Sequence, residues 1–466
     1  MADQFDLVVV GGGPGGYASA FYGASAGLNV ALIEKDTLGG TCLNRGCIPA
    51  KAFLETAAAR RHVQHAGDFG IYATLGETDF AIAQARKQKI VDGLVKGLTG
   101  LVKSKKVTYF LGVGTLNDDK SVTVTAGDGT VTQLNGKNVV LAAGSIPRVI
   151  PGFEPTGPVM TSDEVLMLDR IPARIAVIGG GAIGCEFAST FADLGAEVTI
   201  LEGLPKILPG LDADLANVVV RSFGKKKINI KTGVAVTGHK PTGSGSTVVS
   251  FGDGETLEVD AVIVSVGRRP FPDQLGLAKT KVAVSDRGFV EVDEYCRTSV
   301  SNVFAVGDLI NTPQLAHVAY AEAILVVKQV LGETAIPVDY DRVPWAIYCS
   351  PEVAWSGPSE EAAKAAGYDV VVAKHQFRAN SRAMIIGETD GLVKIIAKKN
   401  PDGSAGQVLG VHMVGPWVTE QLSGGYLAVN WEATVEEIAH FIQPHPSLSE
   451  LFGETVMSLT GRSINA

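Results

Sequence analysis

With 466 residues, 46% of them hydrophobic and 19% charged, the chain is long and apolar enough for two or three domains with full cores. A net charge of −9, a pI near 5.5, and basic clusters no longer than Lys103–Lys106 and Lys225–Lys227 exclude a nucleic-acid role. No charge-free apolar run approaches the roughly 18 residues of a membrane span. The opening Met-Ala-Asp-Gln carries no basic region, so no signal peptide and a cytoplasmic location are expected.

The first predicted strand, Phe5–Val10, runs directly into Gly11-x-Gly13-x-x-Gly16. A helix of small residues follows to about Ala26, then a strand from Asn29 to Ile33 that ends on Glu34. This order is a complete dinucleotide-binding unit. The glycines allow a tight turn and close backbone approach, the helix N-terminus faces a pyrophosphate, and the acid takes ribose hydroxyls. Glycine is in surplus, 55 residues or roughly 12% where about 7% is usual, as expected of nucleotide-binding α/β domains with many tight turns.

Next comes Gly39-Gly40-Thr41-Cys42-Leu43-Asn44-Arg45-Gly46-Cys47-Ile48-Pro49-Ala50-Lys51. In a regular helix, Cα atoms at i and i+5 lie about 8.7 Å apart on different faces, whereas a disulfide needs less than about 7 Å. Pairing Cys42 with Cys47 therefore requires the backbone to leave helical geometry, which Gly46 and Pro49 allow. The alternative is two buried thiols that never meet. Cys185, Cys296 and Cys349 stand alone and no Cys-x-x-Cys occurs, which argues against a zinc cage. Five cysteines in so long a chain suit a reducing compartment, where such a pair is redox-active rather than structural.

Residues 52–104 read as helical, with amphipathic runs at 52–66 and 79–104. Short strands are expected at Val107–Leu111, Ser121–Thr125 and Thr130–Leu134, and Asn138–Ala143 returns to the sheet before Gly144-Ser145-Ile146-Pro147. A second unit then begins with the strand Arg174–Ile178, Gly179-x-Gly181-x-x-Gly184, a helix, and the strand Glu197–Leu201 ending on Glu202. Each acid lies 18 residues after the last glycine of its fingerprint, the fingerprints are offset by 168 residues, and Val262–Pro270, with Gly267, echoes 139–147. This internal repeat predicts two dinucleotides. Glu202 predicts NAD rather than NADP, because a carboxylate bonds a ribose 2′-hydroxyl and repels a 2′-phosphate, and residues 203–206 supply no arginine. A third glycine phrase, Val303–Asp308, precedes Gln314–His317 and is read as the first domain's chain returning to its own dinucleotide.

From about residue 345 the pattern becomes antiparallel, with strands at 346–349, 370–377, 392–398 and 408–414 and helices at 419–430, 434–441 and 447–460. The expected domains are 1–146 and 147–270, a segment 271–342 returning to the first, and 343–466. In Pro444-His445-Pro446-Ser447-Leu448-Ser449-Glu450, Glu450 either completes a capping box with Ser447 or orients the His445 imidazole as a proton acceptor for a thiol. One carboxylate is not expected to fill both roles.

The cysteine stretch, twin fingerprints, Ala305-Val306-Gly307-Asp308 and His445-Pro446…Glu450 together resemble the pyridine nucleotide–disulfide oxidoreductases over essentially the whole chain. The resemblance implies an α/β fold of two Rossmann-like domains, for FAD and NAD, plus a C-terminal α+β dimerisation domain. It implies oxidation of dihydrolipoyl groups to lipoyl through Cys42, Cys47 and FAD, with hydride transfer to NAD⁺. His445, oriented by Glu450 and supplied by the partner subunit of a homodimer, would be the base. FAD would meet Gly11, Gly13, Gly16, Glu34, Gly114, Asp308 and Ala316. Lys51 and Glu186 would form an ion pair near the flavin, and the NAD side would use Gly179, Gly181, Gly184, Glu202, Val236 and Gly267. The implied partner is a dihydrolipoyl domain of a 2-oxoacid dehydrogenase complex or of the glycine cleavage system. An NAD(P)H-dependent reductase of another small disulfide, such as glutathione, is the alternative. The chain departs from the family pattern at Ala50, where a serine is usual, and at Gln443, where a second histidine is usual. It ends Thr460–Ala466 with no further cysteine pair.

Overall fold

The computed structural model describes residues 3–243 and 245–464, so Met1, Ala2, Asn465 and Ala466 of the termini discussed above lie outside the described residues. The strand Asp3–Val10 is central to the first sheet, and Leu7 to Val10 are buried because parallel neighbours and helices cover both faces. It pairs in parallel with Val30–Glu34 on one side and Val131–Leu141 on the other, and Thr108–Leu111 lies beyond Val30–Glu34. The second sheet repeats this plan. Arg174–Ile178 lies between Glu197–Glu202 and Ala261–Val264, and Asn229–Thr232 takes the outer place.

Val303–Ala305 joins the first sheet against residues 139–141, so the third glycine phrase does return to the first dinucleotide unit. The segments expected as two strands, 130–134 and 138–143, form one strand, Val131–Leu141. Gly136 reads locally as a turn, but a side chain there would come within 2.8 Å of Val8. The glycine lets the long strand lie flat against its neighbour. The two echoing phrases pair with each other, Ser145–Pro147 antiparallel to Arg268–Pro270, and this ribbon ties the two units together.

The C-terminal region is a five-stranded antiparallel sheet in the order Trp345–Ile347, Glu352–Ser356, Ala405–Gly415, Leu392–Lys399, Val370–Gln376. Helices Val418–Asn430 and Glu450–Ser458 pack on it, with Val435–Ala439 between them. Glu352–Ser356 was not expected, since the preceding Ser350-Pro351 reads as the end of a strand rather than the approach to one. The last helix starts at Glu450 rather than 447. No helix among the described residues is long and apolar enough to cross a membrane.

Candidate functional site

The cysteine stretch folds as two helices broken at one residue. Gly40–Arg45 ends at Gly46, whose φ of −146° and ψ of −111° lie outside helical space, and Cys47–Gln64 begins immediately after it. The helix thus starts at Cys47 itself, several residues earlier than expected. The break brings the two thiols into hydrogen-bonding contact, and both are free.

The pair is asymmetric. The hydrogen bond with Cys42 brings the Cys47 thiol down to about 7, with the Lys51 charge assisting, although burial opposes the shift. The same hydrogen bond and burial push Cys42 well up. Lys51, one helical turn beyond Cys47, places Nζ 2.9 and 2.8 Å from the two carboxylate oxygens of Glu186 and lies 4.5 Å from the centre of the Tyr348 ring. Burial alone would lower the Lys51 ammonium; the Glu186 carboxylate reverses this and holds it raised. The Tyr348 backbone N–H donates to Glu186 Oε1 at 2.9 Å, so the ion pair joins the helix Cys47–Gln64, the helix of the second fingerprint and the start of the C-terminal region.

Both fingerprints and the cysteine pair open onto one cavity of about 1020 Å³, at the upper end of the roughly 300–1,000 Å³ usual for ligand pockets. Gly11, Gly13, Glu34, Lys51, Gly114, Asp308 and Ala316 line it, as do Gly179, Gly181, Glu186, Glu202, Val236 and Gly267. Gly16 and Gly184, expected to contact cofactor, do not line it. A Cβ at Gly16 would lie 1.7 Å from the Gly11 carbonyl oxygen and one at Gly184 2.0 Å from that of Gly179, so these glycines let each helix pack on its strand turn. At the middle glycines the case is opposite. A Cβ on Gly181 would meet no protein atom within 4 Å, and one on Gly13 would meet only Gly40 Cα, at 3.7 Å. The space they leave faces helix N-termini and fits a pyrophosphate in each unit.

The two acids share a geometry not anticipated from the motif. Gly12 N–H donates to Glu34 Oε2 at 2.7 Å, and Gly180 N–H donates to Glu202 Oε2 at 2.6 Å. The second oxygens accept from Asp36 N–H (2.9 Å) and Leu204 N–H (2.7 Å). Each carboxylate braces its glycine loop while keeping lone pairs for the cavity.

Glu450 orients the imidazole and also exchanges hydrogen bonds with Ser447. That exchange closes the turn ahead of the last helix rather than capping it, since the N-cap is Ser449 and makes no side-chain cap bond. His445 Nδ1 lies 2.8 Å from Oε1, Oε2 accepts the Ser447 N–H at 2.7 Å, and Ser447 Oγ accepts the Glu450 N–H at 3.3 Å. A carboxylate has two oxygens, and the fold assigns one to each task. His445 is not among the residues lining the cavity, and its side chain is 72% exposed. Within one chain the imidazole and the cysteine pair are therefore not brought together.

Residues 5–323 match the family described as pyridine nucleotide-disulphide oxidoreductase, and residues 343–456 match the dimerisation domain of that family. The chain belongs to the pyridine nucleotide–disulphide oxidoreductases. Among the relatives of this oxidoreductase, a dihydrolipoyl dehydrogenase of Bacillus subtilis is 39% identical, with 100% of each chain covered. One of Geobacillus stearothermophilus is 37% identical over 100% of this chain and 98% of that one. Among solved structures, LpdA from Mycobacterium tuberculosis superposes with a TM-score of 0.92 at 26% identity, covering 98% of this chain and 100% of that one. The HOCl-induced flavoprotein disulfide reductase RclA from Escherichia coli gives 0.87 at 27% identity, covering 97% and 99%.

Three residues of this oxidoreductase escaped the motif reading. Ser145 Oγ donates to Asp308 Oδ2 at 2.5 Å and accepts from Arg268 Nε at 2.7 Å, and burial lowers the Arg268 guanidinium against the pull of Asp308. Their only signal was their place in the two echoing phrases. Glu322, fully buried, accepts the Gly307 N–H at 2.6 Å and the Thr312 hydroxyl at 2.8 Å, bracing the third glycine phrase as Glu34 and Glu202 brace the first two. A lone glutamate on the apolar helix Ala316–Val330 was its visible trace.

Proposed function

We propose that the chain oxidises the dithiol of a dihydrolipoyl group to the cyclic disulfide, with FAD in the first unit and NAD⁺ in the second. The observation that carries this reading is the asymmetric pair: a hydrogen-bonded Cys42 and an acidified Cys47 opening onto a cavity that both fingerprints share. In exchange chemistry the more acidic thiol leaves faster. When Cys42 and Cys47 are joined, a substrate thiolate attacking Cys42 breaks the bond and releases Cys47 as the thiolate beside Lys51. The second substrate sulfur, losing its proton, then attacks the first, closes the product disulfide and returns the electron pair to Cys42, which takes up a proton. Bound FAD supplies the two-electron relay from the reduced pair to NAD⁺. Lys51 and Glu186 hold fixed charges at the cavity wall throughout.

The base for the first proton is His445 of the partner subunit, so the working unit is a homodimer. Ile442, 98% exposed, and Phe441, 62% exposed, stand just before His445, and apolar side chains so placed fit burial by a second copy. The domains divide as 1–146, 147–270, 271–342 and 343–466, the protein partner is a lipoyl-bearing domain, and the location is cytoplasmic, where free cysteines persist. The test is a steady-state assay of the purified protein with dihydrolipoamide and NAD⁺ against glutathione disulfide and NADPH. Turnover of the second couple alone overturns the proposal.

Two expected results follow from the cavity. The purified protein is yellow and releases about one flavin per chain on denaturation, measured by absorbance; a folded, colourless preparation removes FAD from the account. Glu202→Arg raises the ratio of NADP to NAD kcat/KM by at least about tenfold, about 1.4 kcal/mol. Absolute activity falls as well, because Gly180 and Leu204 lose their acceptor. A preference of the unaltered protein for NADPH contradicts the reading of Glu202.

A further inference from the structure

Lys394, on the strand Leu392–Lys399 of the C-terminal sheet, has a side chain 3% exposed and does not line the nucleotide cavity. Its Nζ lies 3.1 and 2.9 Å from the two carboxylate oxygens of Asp212, 2.8 Å from Asp214 Oδ2 and 2.8 Å from Glu360 Oε2. The three acids do not depend on it equally. Asp214 also has Lys374 at 3.3 Å and Glu360 has Lys364 at 2.6 Å, whereas the buried Asp212 has no other cation among the described residues. Removing the partner of a buried charge is strongly unfavourable, so the place of Asp212 is set by Lys394. Asp212 ends the segment 203–211 and caps the helix Ala213–Lys225, its Oδ1 accepting the Asp214 N–H at 3.0 Å. That segment walls the second dinucleotide unit, where Gly203, Leu204 and Pro209 line the cavity. Its Leu204 N–H holds Glu202 Oε1 at 2.7 Å, and its Leu208 N–H donates to the Gly180 carbonyl oxygen, also at 2.7 Å. The fit there is close, since a Cβ on Gly180 would come within 2.6 Å of Ile207. Leu208 has a φ of 52°, a left-handed conformation that a leucine keeps only where its surroundings enforce it.

We propose that Lys394 is a positioning residue for the nicotinamide dinucleotide: by anchoring Asp212 it holds the segment 203–211 against the Gly180 turn and Glu202. This rests on the reading that NAD⁺ occupies the second unit. Lys394 touches no dinucleotide and acts only through Asp212 and the segment that Asp212 ends. The C-terminal region, which matches the dimerisation domain over residues 343–456, thereby takes part in dinucleotide binding.

The test compares Lys394→Met, Asp212→Asn and Asp214→Asn with the unaltered flavoprotein. Two quantities are read: kcat/KM for NAD⁺ against kcat/KM for dihydrolipoamide, and the Kd of ADP-ribose, a redox-inert part of NAD, by calorimetry. Asparagine caps a helix as well as aspartate, so Asp212→Asn removes the charge pairing and keeps the cap. The expected result for Lys394→Met and Asp212→Asn is about a tenfold fall in kcat/KM for NAD⁺ and a matching rise in the ADP-ribose Kd, the size of one lost charge-assisted hydrogen bond. Flavin content and kcat/KM for dihydrolipoamide stay unchanged. Asp214→Asn, which takes the same charge from the cluster but leaves Asp212 paired with Lys394, leaves both quantities unchanged. Equal falls for the two substrates, no fall at all, or an Asp214→Asn as costly as Asp212→Asn shows a merely structural cluster and overturns the proposal. If Lys394→Met does not fold, Asp212→Asn reads the same two quantities. Failure of the unaltered protein to bind ADP-ribose or to use NAD⁺ overturns the functional reading instead.

Discussion

Cys42→Ser abolishes dihydrolipoamide oxidation while leaving a folded flavoprotein that carries a Cys47 thiolate. Only one sulfur can meet the substrate while the other serves the cofactor, and the acidity of the pair assigns the roles. Cys47 is the acid, at about 7, because Cys42 hydrogen-bonds to it and Lys51 lies one turn away. A serine at 42 retains a hydroxyl donor and so keeps the thiolate supported. In this variant a charge-transfer absorbance between the thiolate and the flavin is expected, growing as pH rises through roughly 7, since the thiolate is the form present above its pKa. Cys47→Ser loses both the absorbance and the dithiol activity, because neither the leaving sulfur nor the thiolate remains. Spectra of the two variants between pH 5 and 9 decide the matter (an interval of about two units on either side of that value). A thiolate band in Cys47→Ser and none in Cys42→Ser reverses the assignment.

His445→Gln lowers dihydrolipoamide turnover by about 10²–10⁴, the usual span for a removed general base, equivalent to about 3–5 kcal/mol of barrier. The geometry defines what is lost. Glu450 Oε1, an acceptor, faces His445 Nδ1 at 2.8 Å, so the proton sits on Nδ1 and the Nε2 lone pair is free for a thiol proton. Glutamine fills similar space but has no basic nitrogen. Glu450 keeps its bond to the Ser447 N–H, so the start of the last helix should survive the change. Flavin content and ferricyanide turnover serve as controls, because neither passes through the dithiol step. Near-full dithiol turnover in His445→Gln would reduce His445 to a loop residue beside the turn that precedes the last helix.

The twin fingerprints were legible because their information is local. A strand, three glycines at fixed offsets, a helix and an acid 18 residues further on lie within one βαβ unit, whose spacing follows from strand and helix rise. The break at Gly46 was legible for the same reason, since two cysteines five positions apart cannot meet along an unbroken helix. What the spacing could not show was what the neighbouring chain would do. Gly136 reads as a turn in its own segment but lies mid-strand because it pairs with Phe5, far away in sequence, at a place where a side chain would come within 2.8 Å of Val8. Glu322 reads as an isolated charge and becomes the brace of Gly307 because its helix packs under that turn.

By itself, then, the sequence determined that two dinucleotide units flank a cysteine pair, and that a histidine near the end has a carboxylate within reach. Those are properties of short segments, set by covalent geometry and residue type. Only the tertiary structure decided what holds the Lys51 charge beside the cysteine pair, because Lys51 pairs with Glu186, 135 residues away, and Glu186 accepts from Tyr348, 162 residues away. It alone decided that Glu450 serves both His445 and the Ser447 turn ahead of the last helix, because two oxygens can be divided only once the backbone around them is placed. Electrostatics and hydrogen bonding depend on distance in space, and residues so far apart in sequence acquire that distance only on folding.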